Sequence, residues 1–392
     1  MLTTTHETCR SLLAAMVSFD TVNHNISGKV DAEVELARYL DSAATDMGFA
    51  TQRLSLDGES FNLLITHEVS PQAPWLLFES HMDTVTVEGM IIDPFVSEIR
   101  DGKIYGRGAC DTKGTGAAML WALKQYAAEN NESNNIAIVF TTDEEIGKEG
   151  VSRFAAEQLP NLGWRPVGAI IGEPTMLKPV VAHNGVARWK ISTKGVAAHS
   201  ADPSKGRSAI SMMMKVIDLI ENTYTPSLTA THPLTGKAQC SVNVIRGGVQ
   251  VNVIPESCEI HVDRRIVPEE DKQTVRPTVE KLLEELQQLN PGMAVELNEM
   301  ILDSALDPTG NESLTQCVQG VLDKMGLPAQ VKGVAYGTDA PQLSEVGVPA
   351  IVIGPGSIEQ AHTKDEWLSL DQLDRGIEIY LNLMRADLKE LS

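Results

Sequence analysis

The sequence is poor in aromatic residues, 5% of 392 positions, and poor in cysteine, with five. Cys9, Cys110, Cys240, Cys258 and Cys317 are odd in number, widely spaced and contain no Cys-x-x-Cys. That pattern argues against a disulfide framework or a cysteine zinc site and points to a reducing compartment. Positive charge is also short: 32 Lys and Arg face 53 Asp and Glu, a formal net charge of −21. Such an acidic chain is a poor partner for nucleic acid or an anionic membrane. The charge serves solubility first, and part of it is available as metal-binding carboxylate. No apolar run approaches membrane-spanning length, and Met1-Leu-Thr-Thr-Thr-His-Glu-Thr lacks a basic region followed by an apolar core. The expectation is a soluble cytoplasmic protein with neither nucleic acid nor membrane as partner.

What is present is a 42% hydrophobic share over a length sufficient for two or three domains. Apolar spacing predicts helices over residues 7–17, 30–48 and 112–128 and strands over 62–66, 75–80, 136–140 and 167–171. Gly48 marks a helix end, and Asp101-Gly102 a hairpin turn. Strand-helix alternation of this kind predicts an α/β fold, a mainly parallel sheet with helices on both faces. After about residue 184 the order becomes β-α-β-β-α-β, which fits an inserted α+β ferredoxin-like lid. Its methionine-rich helix, near 208–221, reads as packing. The α/β pattern resumes after about residue 300. The expected organisation is a catalytic domain in two parts, 1–184 and 299–392, around a lid domain at 185–298.

Five apolar strands or strand-loop junctions run into acidic or histidine residues. Trp75–Ser80 leads to His81 and Asp83, and Gly106–Gly114 places Asp111 before a helix. Ile136–Phe140 leads to Glu144 and Glu145, Val167–Ile171 to Glu173, and Ala350–Gly354 to His362. Sites in open α/β sheets form beyond the carboxyl ends of the strands, so all five clusters can converge. Two imidazoles and three carboxylates suit two zinc ions, with Co or Mn as substitutes. A bridging hydroxide would bring that site to neutrality and serve as nucleophile. Of the pair Glu144-Glu145, one would ligate and the other carry the proton to the leaving amine. Each piece alone has a plainer reading: a partly buried histidine, a helix cap, a solvated turn, exposed loop residues.

The motifs resemble the co-catalytic zinc metallopeptidase and deacylase family that includes acetylornithine deacetylase, succinyl-diaminopimelate desuccinylase, aminoacylase and carboxypeptidase G. Ser80-His-Met-Asp-Thr-Val85, Gly106–Gly114 and Thr142-Asp-Glu-Glu-Ile-Gly147 carry the resemblance. It implies Glu144 as general base, Asp111 as bridging ligand, Glu145 and His362 on one metal, His81 and Glu173 on the other, and Asp83 orienting His81. Gly172-Glu-Pro-Thr175, Ala182-His-Asn-Gly185, Gly354–His362 and Tyr336-Gly-Thr-Asp-Ala-Pro341 resemble the acetylornithine deacetylase branch.

The resemblance also implies that His199 stabilises the oxyanion, often across a homodimer formed through the lid. It further implies that Arg265, Asn252 and Thr338 bind substrate. Adjacent Arg264 departs from the family pattern, and strand alternation would put one arginine on each face. Asp339 stands where the branch carries a glutamate. It is either the acid that selects a substrate ammonium or an exposed loop residue. Cys110 reads as a small buried side chain. The implied activity is hydrolysis of an N-acyl amino acid, N-acetylornithine in arginine biosynthesis, with succinyl-diaminopimelate desuccinylase or an aminoacylase or dipeptidase as alternatives.

Overall fold

The computed structural model describes residues 4–129 and 133–391. In chain order its principal strands are β1 (Ala50–Ser55), β2 (Phe61–His67), β3 (Trp75–His81), β4 (Asn135–Thr141), β5 (Pro166–Ile171) and β6 (Val180–His183). There follow β7 (Gly185–Lys194), β8 (Gln239–Gly247), β9 (Ser257–Ile266), β10 (Val295–Asp303), β11 (Lys332–Val334) and β12 (Ala350–Val352). One eight-stranded sheet has the order β1-β2-β4-β3-β5-β12-β6-β11. Its centre is parallel: β3 pairs with β4 and β5, and β12 with β5. Antiparallel partners flank that centre, with β2 on β4 and β6 on β12. All seven residues of β3 and of β4 are buried, so both sheet faces are covered.

The chain divides into two units, one of Met1–Val181, Pro308–Lys332 and Thr338–Ser392, the other of Ala182–Asp307 with Gly333–Gly337. In the first, Leu36, Leu63, Phe78, Leu120, Ile138 and Tyr380 share one core. Each fully buried side chain of this size contributes about 1.5–3 kcal/mol. The helix Val34–Asp46 starts four residues later than its spacing suggests, because Gly28 and Asp31 adopt positive φ angles (70° and 54°). It ends as expected. Gly48 (φ 92°) lets its own N–H reach Thr45 and that of Phe49 reach Ala44, a Schellman cap that a Cβ would strain. Asp101 and Gly102 (φ 49° and 71°) turn the short hairpin between Glu98–Arg100 and Lys103–Tyr105.

The second unit is a four-stranded antiparallel sheet of order β8-β9-β7-β10, with helices Ala209–Leu219 and Val275–Leu289 in the crossovers. This is the ferredoxin-like order. Its core gathers Trp189, Ile191, Met213, Val216, Ile260 and Val262. In the methionine helix Met212 and Met213 are buried, whereas Met214 is 65% exposed. The unit runs on to Asp307 rather than stopping near 298. β10 continues to Asp303, and the backbones of Leu306 and His183 bond each other in both directions.

Candidate metal centre

The four parallel strands deliver their residues to the same end of the sheet. β3 ends at His81, β4 feeds the turn of Glu144 and Glu145, β5 leads to Glu173, and the loop after β12 carries His362. Asp111 enters from the loop before the helix Lys113–Tyr126, and its peptide to Thr112 is cis. Gly114 lets that helix start close to the chain. A Cβ there would lie 2.3 Å from the Ala109 carbonyl and 2.5 Å from Leu368.

The geometry centres on Asp111. Its Oδ1 lies 3.2 Å from His81 Nε2, and its Oδ2 lies 3.2 Å from His362 Nε2. Glu173 Oε1 is 3.7 Å from the same His81 nitrogen, and Glu145 Oε2 is 3.2 Å from the same His362 nitrogen. Donors bound at about 2.0–2.1 Å around a tetrahedral ion sit about 3.3 Å apart, so these separations have the right size. Two groups close enough to hold an ion stand out among the described residues: His81, Asp111 and Glu145, and His81, Glu144 and Glu173. Glu145 Oε1 is buried without a hydrogen-bond partner. The donor set therefore fits divalent cations, with one carboxylate offering an oxygen to each imidazole.

His81 is oriented through Nδ1, which lies 3.0 Å from the Asp83 carbonyl and 3.5 Å from its carboxylate. A proton on Nδ1 turns Nε2 towards the acids. The Asp83 carboxylate also organises the neighbouring turn. It accepts the N–H groups of Glu144 (2.9 Å) and Glu145 (3.1 Å) and the Asn23 amide (2.8 Å). Glu144 is 3.2 Å from the Lys148 ammonium, which also donates to the Thr338 carbonyl at 2.6 Å.

Protonation follows from crowding acids beside two imidazoles. Burial disfavours the His81 imidazolium, but Asp111 and Asp83 outweigh it and raise its pKa well above the ordinary value. Asp111 and Glu145 raise His362 to about 10. Burial opposes the Asp111 charge, yet hydrogen bonds from His362 and His81 hold its carboxyl below the usual range. Burial, then Asp111, pushes Glu145 up to about 7 and Glu173 well above its usual value.

In the cation-free site the shifts of His81, His362, Glu145 and Glu173 all run in the direction that retains protons. Raised pKa values mean bound protons, which a cation must displace, so affinity rises with pH. Calorimetric titration of the metal-free protein in buffers of unlike ionisation enthalpy should show net release of protons on cation binding at neutral pH. Uptake without proton release would contradict this charge distribution.

Sequence reasoning missed the support of Asp111. Glu366, fully buried, accepts the N–H groups of Cys110 (2.9 Å) and Asp111 (3.1 Å) and pairs with Arg107 at 2.6 Å. Arg107 was visible inside the Gly106–Gly114 motif, but nothing local marks a partner 259 positions away. Breaking a buried pair of this kind costs about 3–5 kcal/mol. Glu366→Ala should lower the denaturant midpoint of the metal-free protein accordingly, and an unchanged midpoint would refute the pairing's importance. Asn23 and Lys148 were missed for the same reason. Cys110 is fully buried, and burial raises its thiol well above the usual value, as suits an inert packing residue.

The substrate-side expectations meet varied surroundings. Thr338 is fully buried, and its hydroxyl accepts the Ala340 N–H at 3.2 Å. Asp339, 1% exposed, is no surface loop acid. Its Oδ2 lies 3.3 Å from the Thr141 hydroxyl, which also donates to Glu79 at 2.6 Å. Burial and then Glu79 raise the Asp339 carboxyl well above its ordinary value.

His199, Asn252, Arg264 and Arg265 lie in the second unit. His199 is exposed beside Val253, the neighbour of Asn252, and its Nδ1 accepts the Ala201 N–H at 3.1 Å. Arg264 turns inward to Glu270 (2.6 Å) and the Tyr224 ring, whereas Arg265 pairs with Asp263 at 2.9 Å on the opposite face. Strand alternation separates the two as expected, and Arg265 holds the outer side.

Comparison with known proteins supplies the lineage. Residues 77–386 match the model described as Peptidase family M20/M25/M40. Acetylornithine deacetylase of Pasteurella multocida is 34% identical over 364 residues, 89% of each chain. That of Myxococcus xanthus is 30% identical over 379 residues, 93% of this chain and 94% of its own. An M20 family metallo-carboxypeptidase from Sulfolobus solfataricus superposes with a TM-score of 0.78 at 18% identity, covering 97% of this chain and 99% of that one, a likeness of fold. With that match spanning most of the chain, over a sheet whose strand ends gather two imidazoles and four carboxylates, the protein belongs to peptidase family M20/M25/M40 and is a metal-dependent hydrolase.

Proposed function

We propose that this hydrolase cleaves the amide of an N-acyl amino acid, N-acetylornithine above all, releasing ornithine and acetate for arginine biosynthesis. The observation that carries the reaction type is Asp111, one oxygen towards each imidazole, with Glu144 close by and outside that pair of contacts. The names of the similar deacetylases support the choice of substrate.

In this reading His81, Glu173 and Asp111 hold one ion, and His362, Glu145 and Asp111 the other, with zinc as the natural occupant and Co or Mn as substitutes. Bound there, two divalent ions would lower the pKa of the attacking water and polarise the scissile carbonyl. Glu144 takes the water's proton and gives it to the leaving amine. Asp83 holds both His81 and the Glu144-Glu145 turn. Because Nδ1 of His199 accepts a backbone N–H, a neutral ring carries its proton on Nε2, a donor suited to an oxyanion. Arg265 would pair with the substrate carboxylate, with Asn252 beside it. Asp339 Oδ1, buried without a partner, is the acceptor available to a substrate ammonium.

The protein would work in the cytoplasm, a setting that suits its free cysteines. It would dimerise through the open edge strand β8, where Ile245 is 55% exposed. The deciding experiment measures kcat/KM for N-acetylornithine, succinyl-diaminopimelate and acetylated neutral amino acids on one metal-assayed sample. N-acetylornithine should lead by at least about tenfold, the worth of one well-placed charge interaction. Preference for either other substrate would move the assignment to a sister activity.

A further inference from the structure

Beside the catalytic turn lies an acidic cavity of about 250 Å³ that the proposed reaction does not use. Its lining combines Asp31, Glu33 and Asp143 with the apolar side chains of Val30 and Leu56. At its rim Arg153 pairs with Asp57 (3.1 Å) and Glu149 (3.4 Å), so those carboxylates are already matched. Glu33 is different. It is 2% exposed, and its Oε1 has no hydrogen-bond partner. Burial, and next the Asp83 charge, pushes its carboxyl up to about 7, the mark of an acid lacking a countercharge.

A directly coordinated metal does not suit the cavity. Among the described residues, no three of its carboxylate or histidine donors come as close together as those of the catalytic cluster. The apolar flank of Val30 and Leu56 suits a short hydrocarbon chain instead. We propose that the cavity binds an alkyl cation, a short chain ending in an ammonium or guanidinium group, whose charged end meets Glu33 and Asp143 while Asp31 lies along its path. The site communicates with the catalytic turn. The Asn23 amide bonds both Asp143 (2.9 Å) and Asp83 (2.8 Å), and Asp83 holds the backbone of Glu144 and Glu145. A cation at Asp143 changes the acceptor strength on one side of that amide, so occupancy alters turnover.

The test uses the full, metal-loaded protein with 1,4-diaminobutane and agmatine as probes and 1,4-butanediol as the uncharged control. Calorimetry should find one saturable site per chain for both cations, of about millimolar affinity or better, and none for the diol. Steady-state rates at saturating substrate should shift with the same concentration dependence. Glu33→Gln and Asp31→Asn each remove one charge, and Asn tolerates the positive φ of residue 31. Both variants should keep the basal rate and bind the probes at least about tenfold more weakly. Should Glu33→Gln fail to fold, Asp31→Asn at the mouth carries the test. Binding that survives both changes, the lack of a saturable site, a rate indifferent to occupancy, or displacement by MgCl2 at matched ionic strength overturns the proposal. Probe binding is read without substrate, so its failure is distinguishable from a wrong choice of N-acyl amino acid.

Discussion

Glu144→Ala is expected to retain its metals and lose about 10³-fold in kcat, the middle of the range for removing a general base. The expectation rests on position. Glu144 is on the turn that also presents Glu145, but the contact with His362 belongs to Glu145, and the side chain of Glu144 meets Lys148 instead. Its removal leaves His81, Asp111, Glu145, Glu173 and His362 in place. Because the proton must move during bond breaking, the loss should fall on kcat, with KM little changed. Metal analysis and steady-state kinetics on the same sample decide the matter. Activity near that of the parent would rule out Glu144 as the proton carrier, and a variant stripped of metal would make it a ligand.

Asp111→Asn should have a comparable effect by another route. It keeps the shape of the side chain but removes its charge and one of two acceptor oxygens. The oxygens of Asp111 face different imidazoles, so the substitution weakens both halves of the site at once. Changing an outer partner of a ligand typically costs 10–100-fold in metal affinity or activity, and losing a shared ligand should cost at least about 100-fold. Both ions should therefore dissociate on dialysis under conditions where the parent keeps them. A variant that retains one tightly held ion would show that Asp111 serves a single position.

The outline of this centre was legible because each part is a local pattern. An apolar strand followed by His81, Glu144 and Glu145, or Glu173 can be recognised within a dozen residues, and parallel α/β order brings such ends together. His362 was harder, since β12 stops at Val352 and the residue sits ten positions later at positive φ (59°). Apart from Asp83 beside His81, what holds the ligands was not legible. Glu366 under Asp111, Asn23 between Asp83 and Asp143, and Lys148 beside Glu144 are polar residues whose meaning appears only with their partners. Asp339 shows the same limit, as its surface or buried character is a property of Thr141 and Glu79 packed against it.

By itself, the sequence determined the central strands of the sheet, most of the long helices, the ferredoxin-like order of the insert and the identity of the candidate ligands. These follow from side-chain period and from chemistry that each residue carries wherever it stands. Tertiary structure decided which arginine of the pair 264–265 turns to Glu270 and the Tyr224 ring, that Asp339 is buried against Thr141, and that Asp111 divides its oxygens between two histidines. It also left Glu33 with an unmatched buried oxygen. These outcomes are set by the fold's shared packing and by the high cost of leaving buried polar groups unpaired.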